Sequence, residues 1–250
     1  MLELSWFQIV LVGICAIFIG IAKTGLPALT ILVVATMASI FPARDSIGIS
    51  LPMLITADLI AVAYYRHTVH WKTLLRMLPW VLGGLAAGYV LLFFVTVSRP
   101  IEIILGLIII SMVSLQIYRA KAGAKWLTNI PQSKLFIGVM GTLAGFTTMI
   151  GNAAGPVMAI FLLALALPKN VFIGTGAWFF LAVNLIKVPL YVNLDLITGE
   201  TFLFYLWFIP IILLGALIGI KVLPYIPQKN FNLIIMVLAG IGGIRLLLPW

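Results

Sequence analysis

The sequence predicts an all-α polytopic membrane protein made of two inverted repeats of about five helical segments each. Three observations carry that expectation. Of the 250 residues, 64% are hydrophobic and only 8% charged, with a mean hydropathy of +1.25. That is too little charge to coat a soluble core of this size, so the bilayer must solvate most of the surface. The apolar residues are gathered into ten long runs, and the punctuation between runs repeats once along the chain.

The runs fall at 5–22, 25–41, 46–65, 74–96, 100–118, 134–150, 154–167, 171–191, 201–222 and 231–248. Their lengths suit helices that cross a bilayer or, for the shortest ones beside Lys23 and after Gly155, half-membrane arms of re-entrant hairpins. The opening MLELSWF lacks the basic stretch that starts a signal peptide. If all ten runs cross, Arg66, Lys72, Arg76, Arg119, Lys121, Lys125, Lys134, Lys169, Lys221 and Lys229 share one side. Ten of the fifteen Lys/Arg on one side mark it as cytoplasmic and place both termini outside a cell (inner) membrane. The formal charge of +9 is then topogenic, and no nucleic-acid partner is expected. The single cysteine, Cys15, lies in an apolar run and permits neither an intrachain disulfide nor a thiolate metal site.

A shift of 126 positions lays Gly25 on Gly151, Pro42 on Pro168, Gly48 on Gly174 and Asp58 on Asn184. Five extra residues in the second copy change the shift to 131, and Pro79, Gly84 and Gly88 then fall on Pro210, Gly215 and Gly219. The expected organisation is a first repeat at 1–118, a basic cytoplasmic linker at 119–133 and a second repeat at 134–250, all in one transmembrane domain. Five runs per copy make the second enter the membrane from the opposite side. That arrangement is typical of secondary transporters, with the substrate held near the midplane where the copies meet. GLAAG (84–88), GTLAG (141–145) and GALIG (215–219) set small residues four apart, which favours close helix packing within the chain over a dimer seam.

Two stretches break the helical pattern at matched places, IGIAKTGLPAL (19–29) and TMIGNAAGP (148–156). Glycine permits a backbone turn and proline suits the first turn of a new helix, so each stretch reads as one helix ending and another starting near Leu26/Pro27 or Gly155/Pro156. Broken backbone at membrane depth is tolerated only where protein buries it or it lines a wet cavity. New helix N-termini offer N–H groups and partial positive charge to an anion. The expected substrate-binding residues are therefore Lys23, Thr24, Gly25, Leu26, Pro27, Gly151, Asn152, Gly155 and Pro156. Lys23 has two readings, a short loop at the cytoplasmic surface or a site within the bilayer, where a lysine costs about 2.5–3.5 kcal/mol.

Asp58 is the only acid deep within a run and reads either as a carrier of a coupling proton or cation or as a structural partner for a lysine. Asn184 is its counterpart, and Lys187 follows one turn later on the same face, near enough to the end of its run to snorkel outward. Asp58, Asn184 and Lys187 form the expected flanking polar group, with Ser50, Thr175 and Trp178 as weaker pocket candidates better explained by packing. No catalytic residue, metal or cofactor is expected. His67 and His70 have no acid or cysteine near them in sequence to complete a metal site, and no phosphate-cradling GxxxxGK[ST] loop is present.

GIAKTGLPAL with PARDSIGISLPMLITADLIAVAYYR in the first half, and GNAAGPVMAIFLLALALPKNVFIGTGAWFFLAVNLIKVPLY in the second, resemble the TauE/SafE family of sulfite exporters over nearly the whole chain. Many members have a glycine cluster where this chain has Lys23-Thr24-Gly25, which bears on substrate choice. The resemblance implies export of sulfite, organosulfonates or related sulfur oxyanions. Expulsion of an anion down an inside-negative potential gains about 2.3 kcal/mol per charge per 100 mV, so no ATP is required. The alternatives are an importer or channel for a sulfur compound or another anion and, from a different class, an intramembrane enzyme or an assembly factor. The expected partners are the small anion, the lipid bilayer and, in one reading, a second copy of the chain.

Overall fold

The computed structural model describes residues 5–95, 98–122 and 133–248, and among these residues it contains helices and no strands. The helices are α1 (Trp6–Thr24), α2 (Thr30–Ile40), α3 (Ala43–Tyr65), α4 (Trp71–Phe94), α5 (Ser98–Ala122), α6 (Lys134–Gly151), α7 (Ala154–Ala164), α8 (Lys169–Asn193), α9 (Gly199–Leu206), α10 (Ile209–Val222) and α11 (Gln228–Leu247). Five of them, with Asp45–Tyr65 taken within α3, are long and apolar enough to cross a membrane: α1, α3, α4, α6 and α8. The protein is thus a multi-pass membrane protein. Apolar side chains such as Trp6, Leu75, Phe94 and Trp207 remain exposed on its outside, as lipid contact requires.

Local chemistry sets the boundaries. Ser5 caps α1 in a capping box with Gln8, and Ser133 caps α6 by accepting from the Phe136 N–H at 3.1 Å. Pro42 and Pro168 hold the same N-cap place, before α3 and α8, both with extended ψ. The run expected at 201–222 is two helices rather than one. Pro210 lies in the first turn of α10, where its missing N–H costs nothing, and the chain turns at Trp207 and Phe208 just before it. Most of the basic linker, residues 123–132 with Lys125, lies outside the described residues, and α5 continues through Ala122.

The heaviest helix contacts join α4 to α6, α1 to α10, α3 to α8 and α5 to α11. All three small-residue stretches serve these contacts within the chain, as expected. Gly84 lies against the Thr142 carbonyl, Gly145 against that of Val81 and Gly215 against that of Ile17. Helices α3 and α8 lie antiparallel. Gly48 near the start of α3 abuts Leu196 just past the end of α8, and Gly174 near the start of α8 abuts Thr68 just past the end of α3. One apolar core runs through α4–α8, and a second gathers α1, α2 and the first half of α3 around Phe208 and Ile212.

Candidate functional site at two helix breaks

Both expected breaks are present. Helix α1 stops at Thr24, a single 3₁₀ turn covers Pro27–Leu29, and α2 starts at Thr30. Helix α6 stops at Gly151, Asn152 takes the left-handed conformation at φ 53°, and α7 starts at Ala154. Asparagine is one of the few residues that adopts this geometry readily, which explains how the chain turns there without glycine. The second helix therefore begins one to two residues earlier than the position of Pro156 suggested. Helices α2 and α7 have 11 residues each. At 1.5 Å per residue they cover ~16 Å, about half of a hydrocarbon core of ~30 Å, the length of the half-membrane arms that the sequence offered as one reading.

The two breaks touch. A Cβ on Gly155 would stand 2.8 Å from the Pro27 carbonyl and 3.3 Å from the Thr30 Cβ, so only glycine allows the second break to rest on the first. Gly25 packs on Gly219 of α10, and Pro27, Gly151 and Pro156 are buried around the same junction, with Leu26 partly so.

A polar network crosses between the breaks. Lys23 is 6% exposed, while Asp58 and Lys187 are both 0% exposed. This overturns both the surface-loop reading of Lys23 and the outward-snorkelling reading of Lys187. The Lys23 Nζ lies 2.9 Å from Asp58 Oδ1, a charge contact without well-aligned hydrogen-bond geometry, and 3.9 Å above the centre of the Phe180 ring. Asp58 Oδ2 accepts from Asn184 Nδ2 at 2.7 Å. Lys187 Nζ then donates to Asn184 Oδ1 (3.3 Å), to Thr148 Oγ1 (3.2 Å) and to Asn152 Oδ1. Finally, Asn152 Nδ2 donates to the Ile47 carbonyl at 3.0 Å. Lys23, Asp58, Asn184, Lys187 and Asn152 thus form one chain from the end of α1 to the end of α6. Asp58 has a lysine as its partner, and the lysine is Lys23.

Other candidates are engaged locally. Thr24 Oγ1 donates to the carbonyls of Gly20 (2.9 Å) and Ala216 (3.0 Å), which ties α1 to α10. Ser50 Oγ donates to the Ser46 carbonyl at 2.6 Å, and Thr175 Oγ1 accepts from the His70 N–H at 2.9 Å. Trp178 leans on Trp71 with ring centres 5.0 Å apart, and its buried Nε1 has no hydrogen-bond partner.

The structure adds Thr148, Phe180 and a pair of tyrosines to the expected set. Tyr65 O–H donates to the Thr24 carbonyl (3.0 Å), and Tyr191 O–H donates to the Met149 carbonyl (2.7 Å) and more weakly to that of Thr148 (3.4 Å). Each phenol satisfies a carbonyl left orphaned where a helix stops. Tyr65 and Tyr191 are themselves 126 apart, so the repeat offset could have found them. Each replaced by phenylalanine strands a buried carbonyl, at about 1–3 kcal/mol. Thermal unfolding in detergent is expected to show Tyr191→Phe as the costlier of the two, because Tyr191 is wholly buried and serves two carbonyls.

A separate cleft of about 200 Å³ opens between α4, α6 and the end of α7, lined by His70, Lys72, Thr73, Arg76, Ile137, Phe161, Leu165 and Leu167. His70 Nδ1 lies 2.7 Å from Thr73 Oγ1, and His67 Nε2 accepts from Arg66 Nε at 3.0 Å.

Paired 11-residue helices meeting over a buried charged network define a helical membrane protein with a polar centre. The chain belongs to the TauE/SafE family of sulfite exporters, because residues 8–246 match that family's sequence pattern. It is a family of transporters and not of enzymes. No curated protein and no solved structure matches the chain.

Proposed function

We propose that this protein is a secondary transporter that exports a small sulfur-containing anion, sulfite or an organosulfonate, by alternating access between two inverted repeats. The observation that carries the proposal is the buried network from Lys23 to Asn152, which spends two lysines and a carboxylate at the junction of two broken helices. Intramembrane charges are costly and mark substrate or ion paths by default. Family membership supports a sulfur oxyanion as the cargo.

The inverted duplication, with repeats at 1–118 and 134–250, is supported by reciprocal packing. Under it α1 corresponds to α6 and α4 to α10, and the contacts α1 with α10 and α6 with α4 are then one contact made twice. The antiparallel α3 and α8 correspond to each other, and Asp58 meets its own counterpart Asn184. Carrier action fits the buried centre, because a passive pore would leave Lys23 and Lys187 wet. The basic cleft at His70, Lys72 and Arg76 suits an anteroom that concentrates anions on the cytoplasmic side.

Reconstitution into liposomes tests this. Sulfite or sulfonate flux that depends on the protein supports the proposal, and no flux or binding of any sulfur oxyanion sinks it. Orientation has its own test in a Cys15→Ser background. Gly199→Cys, in open space, is expected to react with an impermeant maleimide on intact cells, and the exposed Lys229→Cys only after permeabilisation. The reverse pattern would invert the assignment and, with it, the external termini.

A further inference from the structure

The centre is electrically unbalanced, and the imbalance falls on one residue. Among the described residues it holds two lysines and a single carboxylate. Lys23 has Asp58 at 2.9 Å. Lys187 has only neutral oxygens, those of Thr148, Asn152 and Asn184. The ionisable groups facing this centre are Lys23 from α1, Asp58 and Tyr65 from α3, and Tyr191 on α8 itself, and among them Asp58 alone brings negative charge. With both lysines protonated the centre carries one positive charge with no counter-ion. An ammonium buried in that state needs an anion, and the half of the network around Lys187 is where it is missing.

We infer that Lys187, and not Lys23, is the residue that binds the anion's charge, and that Asn152 Oδ1 occupies the place that a substrate oxygen takes. This rests on the transport reading above and narrows its site. Asn152 is suited to yield: it stands at the turn between α6 and α7, and its left-handed backbone puts its side chain beside Lys187. Thr148 accepts from Lys187 through Oγ1 and keeps its own O–H to donate to the incoming oxygen. Lys23 is a fixed, neutralised part of the scaffold. One uncompensated charge also matches a monoanion, such as a sulfonate or hydrogen sulfite, in preference to a dianion such as sulfate.

The decisive variant is Asn152→Asp, which keeps the side-chain shape, accepts the left-handed turn and supplies the absent carboxylate. Methanesulfonate, sulfite and sulfate are titrated against purified wild type and variants, with melting temperature as the folding control. Asn152→Asp is expected to weaken methanesulfonate binding by about 100-fold, since an internal carboxylate now holds the ammonium, and to stay folded with a lowered melting temperature, since the Ile47 carbonyl loses its donor. Lys187→Gln is expected to lose binding and Lys187→Arg to keep part of it. Wild-type binding that survives in folded Asn152→Asp or in folded Lys187→Gln overturns the assignment to Lys187 and leaves the transport reading standing. Tighter binding of sulfate than of methanesulfonate by the wild type overturns the monoanion preference. Absence of wild-type binding for all three anions removes the transport reading itself, and this inference with it.

Discussion

Asp58→Ala is expected to destabilise the protein by about 3–5 kcal/mol, the usual cost of leaving one half of a buried ion pair without the other. Lys23 would keep its ammonium at 6% exposure with only the Phe180 face beside it, and Asn184 Nδ2 would lose its acceptor. Folded proteins hold margins of about 5–15 kcal/mol, so the variant should be recovered in poor yield and melt far below wild type. Removing both charges is different, because a buried pair exchanged for apolar groups of similar size is often neutral. Lys23→Met/Asp58→Leu should therefore recover most of the loss, less the hydrogen bond from Asn184. Thermal melts of the two variants in one detergent decide the matter. Equal stability of Asp58→Ala and wild type would show that the ion pair does not hold the first break in place.

Gly48→Ala should be almost as damaging although it adds a single methyl group. An ideal Cβ there would lie 1.6 Å from the Leu196 carbonyl oxygen and 2.6 Å from its carbon. Those are backbone atoms and have no rotamer to change, so α3 must move off the end of α8 and carry Asp58 away from Asn184. Overpacking of this kind costs about 1–3 kcal/mol and sometimes more, and a backbone clash belongs at the top of that range. Gly83→Ala is the control. Gly83 sits in α4 with nothing within 4 Å of an added Cβ, so the same substitution should stabilise by about 0.5–1 kcal/mol through helix propensity alone. Opposite signs at the two glycines, read by thermal unfolding, would confirm that close approach of α3 and α8 governs the effect.

Much of this arrangement could be read from the chain because membrane helices are punctuated by residues with strong backbone preferences. Gly25, Pro27, Gly151 and Pro156 announced the two breaks, and the small-residue intervals announced close helix packing within the chain, though not which helices pair. The turn between α9 and α10 was missed because Pro210 was read as the counterpart of Pro79. Pro79 lies inside α4, whereas Pro210 lies in the first turn of a new helix. The pairing of Lys23 with Asp58 was out of reach for a different reason. Nothing in the 34 intervening residues fixes which lysine a carboxylate meets; α1, α3 and α8 fix it by where they cross. Lys187 looked like a residue able to reach the membrane surface because sequence shows depth along a helix but not which face is enclosed. Thr148 on α6 and Asn152 just past its end enclose that face, and neither is visible from α8.

The hydrogen bond between Asp58 and Asn184 has a bearing on how such a molecule could arise. Under the proposed duplication these two positions are the same position, facing itself across the axis that relates the halves. An assembly of two identical single-repeat chains would have to put one side chain there twice. Two aspartates would oppose like charges at 2.7 Å unless they shared a proton, and two asparagines would leave Lys23 without a counter-charge. Fusion into one polypeptide removes that constraint, because the copies can then mutate independently. The acid on one side and the amide on the other are what a gene duplication permits and a homodimer forbids.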